Sequence, residues 1–157
     1  MASGLPVTTW LNIIGGAYTG WSGLNAVATH HLALANSTWD SSFNVNTEHG
    51  WTNTNEISGT GWSTGGRVLS GAAAGGTTNP TFTGTGSGIM TYDMSDISVA
   101  NTTLTNAAAA RFYAQAVTAP TADPVYCVIS FGSQYSTSNG TFGITFSGSG
   151  VFTIDLG

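Results

Sequence analysis

The chain has 157 residues, a length that fits one domain with a substantial hydrophobic core. Only 6% of the residues are charged, against about a quarter in ordinary soluble domains, and there is no lysine. The formal net charge of −5 argues against binding to a phosphate backbone, which needs Lys and Arg to release counterions.

The surface must be built mainly from Ser, Thr, Asn and Gly, because the hydrophobic fraction of 41% is too high for a disordered coil. Such a surface costs little to desolvate, and we expect a partner to cover it. The alternative is a Thr-rich β domain without a partner.

The single cysteine, Cys127, lies on the apolar side of a predicted strand and is expected to be buried. We expect neither a signal peptide nor a membrane span.

Residues 1–28 differ from the rest of the chain, because short apolar stretches are separated by glycines. Pro6 and the glycines disfavour a long helix, although one short turn over residues 9–14 is possible. We predict an extended N-terminal arm that docks onto another molecule; the alternative is that it packs on its own domain. Its candidate interface residues are Trp10, Leu11, Ile13, Ile14 and Trp21.

Residues 29–157 follow the pattern of short strands. Residues 30–36 alternate and predict a first core strand with Leu32 and Leu34 inward. For residues 37–55 we predict a long ordered loop that aromatic side chains anchor to the domain. Further strands are predicted at residues 81–85, 89–94 and 111–117, and the pattern continues through Ile97, Val99 and Leu104.

The last third, residues 124–157, has the clearest pattern. Apolar residues recur with a period of two, which predicts half-buried strands. Asn139-Gly140 and Gly148-Ser149-Gly150 are turn signals, so we predict a three-strand antiparallel meander. Its apolar face is formed by Val125, Cys127, Ile129, Phe131, Phe142, Ile144, Phe146, Phe152, Ile154 and Leu156.

A meander cannot bury this face alone, so another layer must cover it. The pattern predicts about eight to ten short strands in a single all-β domain. We therefore predict an antiparallel β-sandwich, jelly-roll or immunoglobulin-like, over residues 29–157, preceded by the arm at 1–28.

The glycine-rich segment between Glu56 and Arg67 fits no nucleotide-binding motif. A dinucleotide fingerprint would need glycine at Thr64 and a following helix, and a P-loop would need lysine. We interpret the segment as a loop between two strands, with Glu56 and Arg67 as a possible ion pair. Arg67 and Arg111 are also candidate interface anchors, because arginine is favoured in interfaces.

No pattern predicts catalysis, a cofactor or a metal site. His30, His31, His49 and Glu48 form the one metal-like group, but neighbours in a strand face opposite ways. The carboxylates are scattered and predict no acid–base pair. We therefore expect a protein that is not an enzyme.

Two stretches are similar to small virion-associated proteins of tailed bacteriophages. Residues 56–66, Glu-Ile-Ser-Gly-Thr-Gly-Trp-Ser-Thr-Gly-Gly, resemble the signature E-[IV]-S-G-T-G-[YW]-x-x-G-G of those proteins. Residues 123–132 are similar to their D-P-x-x-x-x-I-x-F-G stretch, and residues 141–146 to their C-terminal segment. The resemblance covers roughly 32–156 and leaves out the N-terminal segment.

The resemblance implies a β-rich structural protein that decorates or cements the capsid surface. The expected partners are the major capsid protein and copies of this chain, as a homotrimer; no nucleic acid or membrane is expected. The expected location is the virion, and the host cytoplasm during assembly. The alternative is a tail or fibre domain that binds host glycans, with Trp39, Trp51 and Trp62 stacking on sugar rings.

Overall fold

The computed structural model describes residues 3–47, 49–71 and 79–156, and two antiparallel β-sheets pack face to face in it, as predicted. Its helices are α1 (Val7–Ile14) and α2 (Ser37–Ser42), with a 3-10 turn at Val27–Thr29. Its strands are β1 (His30–Ala35), β2 (Glu56–Ile57), β3 (Arg67–Val68), β4 (Thr81–Gly84), β5 (Ile89–Asp93), β6 (Ile97–Ala114), β7 (Val125–Ile144) and β8 (Phe152–Asp155).

The larger sheet has the order β2-β1-β6-β7, and β3 pairs with β1 beside β2. The smaller sheet has the order β4-β5-β8. Strands β1, β4 and β5 lie where the apolar alternation predicted them. No helix among the described residues is long and apolar enough to cross a membrane.

The predicted meander is wrong, because its first two strands are one strand. β7 runs for 20 residues through the expected turn and pairs with β6 along its length. Asn139 adopts a positive φ of 51°, and its N–H donates to Thr103 Oγ1 at 3.1 Å, so the residue makes a bulge instead of a turn. The turn at residues 148–150 does form, but it leads to β8, which pairs with β5 in the other sheet.

The larger sheet is buried on both faces near β1 and the end of β6. One face, with Leu32, Leu34 and Phe112, packs against the smaller sheet. The opposite face is lined by alanines and is covered by the segment that contains α2, through Phe43 and Trp39.

The long loop predicted for residues 37–55 therefore begins as a short helix. Asn36 caps this helix, since its side chain accepts hydrogen bonds from the backbone N–H groups of residues 38 and 39.

The N-terminal segment is not an extended arm in the part that the structure describes. It forms α1, and Trp10 on the inner side of α1 donates from Nε1 to the Tyr126 carbonyl at 2.8 Å. Gly4 pairs with Val128 on β7 through two backbone hydrogen bonds. The segment thus packs on its own domain, which is the alternative noted for it above.

His30 is a fully buried titratable group at the start of β1. Its Nδ1 lies 3.2 Å from the Tyr126 hydroxyl, and the Trp21 ring packs against it with centroids 5.3 Å apart. Burial lowers the pKa of His30 from 6.5 to about 4, and the neighbouring His31 adds to the shift. The folded protein therefore holds this imidazole neutral where the unfolded chain would protonate it.

We predict that the free energy of unfolding decreases as the pH falls from about 6.5 towards 4, because the unfolded state binds the proton more readily. The loss should be about 3 kcal/mol, at roughly 1.4 kcal/mol per pKa unit. Urea unfolding over this pH range should show a flatter dependence for His30→Gln than for the wild type. An unchanged slope in His30→Gln would contradict this origin of the pH dependence.

Candidate functional site

The outer face of α1 carries three apolar side chains that no described residue covers. Val7, Leu11 and Ile14 are 48%, 65% and 71% exposed. They follow each other at the i, i+4, i+7 spacing of one helix face, and we call them the α1 stripe. Leu5, Trp10 and Ile154 complete a shallow apolar groove of about 250 Å³ around the stripe.

The inner face of α1 explains why the stripe points outward. Thr9 and Trp10 are buried there, and the Trp10 ring meets Phe152 edge-to-face with centroids 5.5 Å apart. With Trp10 also hydrogen-bonded to Tyr126, the helix cannot rotate to bury Leu11 and Ile14 without losing these contacts. An exposed apolar helix face of this kind is typical of an interaction surface.

The structure divides the predicted arm residues into two groups. Leu11 and Ile14 are exposed at the surface. Trp10 is buried, and Ile13 and Trp21 are half-buried against the domain's own core, so these three are corrected to packing residues. Val7 was missed, although its spacing to Leu11 and Ile14 would have revealed the stripe if the segment had been treated as a helix.

Arg111 is not a surface anchor, because its side chain is fully buried. Its guanidinium carbon lies 4.8 Å from the centroid of the Trp39 ring, and the charge of Glu56 acts on it. Burial lowers the pKa of Arg111 to about 10, while Glu56 opposes that shift. We interpret Arg111 as a cation that helps to hold the α2 segment against the larger sheet.

Arg67 and Glu56 close the glycine-rich loop, but each bonds to the backbone instead of to the other. Glu56 Oε1 accepts from the Gly65 N–H at 2.8 Å, and Arg67 Nη1 donates to the Gly61 carbonyl at 2.8 Å. The predicted ion pair is therefore wrong. Burial raises the pKa of Glu56, and the Gly65 hydrogen bond and Arg111 oppose this shift.

The glycine-rich loop packs tightly on the sheet and leaves its central Trp62 fully buried. A side chain at Gly59 would collide with the Thr103 carbonyl, and one at Gly66 with the Leu32 carbonyl. The glycines of the segment that resembles the phage signature are thus required for close backbone approach and positive φ. In this structure the segment forms a loop that packs on the larger sheet.

His31 and His49 form hydrogen-bond contacts with different groups. His31 Nδ1 lies 3.1 Å from the Gly65 carbonyl, and His49 Nε2 lies 2.8 Å from Thr47 Oγ1. Glu48 lies outside the described residues. Within those residues no group of three His, Cys, Asp or Glu side chains could hold a metal ion.

The carboxylates accept hydrogen bonds in separate places. Asp96 accepts from the Phe146 N–H, Asp123 from the Ala116 N–H, and Asp40 from the Ser130 hydroxyl. The tryptophans proposed for sugar stacking are also engaged: Trp62 is buried, and the rings of Trp39 and Trp51 stack on Phe43 and Tyr113.

A second concave surface lies along β7. This groove has a volume of about 480 Å³ and combines apolar side chains with hydroxyl groups. Phe131 lies between the rings of Tyr135 and Phe142, with centroid distances of 6.1 and 6.2 Å, and Tyr135 is 51% exposed. Its lining residues are Ile129, Phe131, Tyr135, Ser136, Thr137, Thr141, Phe142, Gly143, Ile144 and Thr145. The predicted turn at Asn139 concealed this surface, because it divided the strand that forms it.

We predict that Gly66→Ala destabilises the protein much more than Gly65→Ala. Both residues have positive φ, so each substitution should cost about 1–2 kcal/mol for placing a side chain in the left-handed region. Only at Gly66 would the new methyl group also meet the backbone of Leu32 and Ala33, which should raise the loss to about 3–5 kcal/mol. Urea unfolding measures both losses, and equal losses would show that the loop is not packed in this way.

Comparisons with known proteins provide no relative: no family model, no curated protein and no solved structure matches the chain. We therefore infer function from the surfaces of this molecule and from the resemblance of its motifs.

Proposed function

We propose that this protein is a non-enzymatic structural protein of a tailed-bacteriophage virion, which decorates or cements the outer surface of the capsid. The observation that carries the proposal is the α1 stripe, an apolar docking surface that the fold holds outward. The occupant that we propose for it is the major capsid protein. The resemblance of residues 56–66 and 123–132 to phage virion proteins supports this choice of partner.

The low charge of the chain determines how such attachment would work. With two strong cations in 157 residues, and Arg111 buried, ion pairs contribute little to an interface. Attachment instead depends on the burial of Val7, Leu11 and Ile14 and on backbone hydrogen bonds. Because salt screens charges and has little effect on apolar contact, binding is expected to depend weakly on ionic strength.

Repeated copies would turn modest contacts into firm attachment. A symmetric oligomer on a symmetric particle makes each further contact intramolecular, which raises the effective concentration of the next site. We propose a homotrimer as this unit, following the resemblance. The virion surface is then the site of action, and the host cytoplasm is where assembly occurs.

The alternative proposal is a tail or fibre domain that binds glycans. The engaged rings of Trp39, Trp51 and Trp62 weaken its original basis. The groove along β7 offers a different one, because the half-exposed Tyr135 ring lies beside the hydroxyls of Ser136, Thr137 and Thr141. This alternative would be favoured if immobilised host polysaccharide retained the wild-type protein and did not retain Tyr135→Ala.

We predict that the double variant Leu11→Asn with Ile14→Asn folds but no longer co-sediments with undecorated capsids. The substitutions remove apolar contact area from the α1 stripe without affecting the buried Trp10. Leu156→Asn is the matched control, since Leu156 is as exposed as Leu11, at 65%, but lies outside the stripe. Circular dichroism verifies the fold of each variant.

The wild type and the control should bind equally at low and high salt. Full occupancy by the double variant would show that α1 is not the attachment surface. Release of the wild type by moderate salt would contradict attachment through apolar contact.

A further inference from the structure

β7 is the longest strand of the molecule and lies at the edge of the larger sheet. Its inner side pairs with β6. Its outer side is paired only at the beginning, where Gly4 exchanges two backbone hydrogen bonds with Val128, at 2.9 and 3.0 Å, and Ser3 Oγ accepts from the Ser130 N–H. Within the described part of the chain, no strand pairs with the outer side of residues 131–144.

The other edge strands are protected against pairing. They are only two to four residues long, and β2, β3 and β8 carry Glu56, Arg67 and Asp155. Strand β4 has no charge, but the N–H of its Phe82 donates to Asn25 Oδ1 at 2.8 Å. Short length, charge and capping are the usual means by which proteins prevent edge-to-edge association.

Residues 131–144 are neither short nor charged, although side-chain oxygens accept from the N–H groups of Gly132 and Asn139. They contain no charged residue and no proline in a sequence of 14 positions. A bulge over residues 131–134, with Gly132 at a φ of 73°, bends the strand at one end, and a second irregularity lies at Asn139, with a φ of 51°. Tyr135 and Thr137 before it, and residues 140–144 after it, pair with β6. The 480 Å³ groove lies along the same stretch, so an added strand would find an apolar floor at Phe131 and Phe142 next to the open edge.

We propose that this edge is a self-association surface, on which β7 of a second copy of this chain adds antiparallel to residues 135–144. The charge distribution favours a copy of the same chain as the occupant. A charged strand would place its charge against an uncharged and partly apolar edge, and like charges placed opposite across a strand pair are destabilising. Residues 131–144 are an uncharged stretch in which two identical edges meet without such opposition.

The Gly4 pairing supports backbone addition at this edge, because it shows that the outer side of β7 accepts a strand from Val128 to Ser130. The proposed contact continues the same edge beyond that point. Pairing of identical edges makes the contact isologous, so it joins chains two at a time. This inference is independent of the capsid proposal and holds for the purified protein.

The test introduces charge at two exposed β7 positions that face each other when residues 135–144 pair antiparallel with themselves. Ser138→Glu with Thr141→Glu places like charges across the contact, and so does Ser138→Lys with Thr141→Lys. In sedimentation velocity, each charged variant alone should have half the apparent mass of the wild type. This ratio should hold even if the chain also associates through another surface. An equimolar mixture of the two should regain the wild-type mass, since Glu then faces Lys. Thr52→Glu with Ser149→Glu is the control and adds the same charge at exposed sites outside the edge.

Amide hydrogen exchange tests the wild type without substitution and applies even if a variant fails to fold. Exchange at residues 135–144 should slow as the protein concentration rises, while exchange at residues 81–84 should not change. The proposal is overturned if both charged variants associate as the wild type does. It is equally overturned if the wild type shows neither a concentration-dependent mass nor concentration-dependent exchange at β7.

Discussion

The pairing of β6 with β7 is the interaction on which the rest of this structure depends. These strands of 18 and 20 residues form one long ribbon, and β1 adds to it through β6. The ribbon is covered on both faces near β1, by the smaller sheet on one side and by the α2 segment on the other. Small side chains such as Ala109 and Ala110 allow both layers to approach closely. The N-terminal segment is held by the same ribbon, through Tyr126 and Val128.

The scarcity of charge then decides how this fold can meet other molecules. The charged side chains that an interface would ordinarily use have internal partners here: Arg111 lies against Trp39, Arg67 bonds to Gly61, and Glu56 bonds to Gly65. What the surface offers instead is an apolar helix face and an open strand edge. The helix face favours contacts that exclude water, and the strand edge favours backbone hydrogen bonds with an added strand.

The sequence was sufficient to predict the class of fold, because apolar alternation in β1, β4 and β5 reflects burial on one face of a sheet. It was insufficient for the connections. A positive-φ Asn followed by Gly is compatible with a hairpin turn and with a bulge, and only the neighbouring Thr103 decides between them at Asn139. The meander was wrong for this reason, and the open edge of β7 was missed with it.

The candidate site was predicted in part for a similar reason. Apolar composition predicted that residues 10–14 dock onto a partner or pack on their own domain, but it could not separate the side of the helix that faces the domain from the side that faces outward. That separation depends on Trp10 reaching the Tyr126 carbonyl, a contact between residues 116 positions apart in the sequence. Arg111 illustrates the same limit: arginine is typical of interfaces, yet this one is buried inside the fold against the Trp39 ring.

The most direct measurement of the central claim, that this is a structural protein of the capsid surface, is its molar ratio to the major capsid protein in purified particles. Quantitative mass spectrometry of virions, before and after separation of heads from tails, provides that ratio. A decoration protein should remain with the heads in a fixed proportion set by the capsid lattice. A few copies per particle, separating with the tails, would contradict the claim.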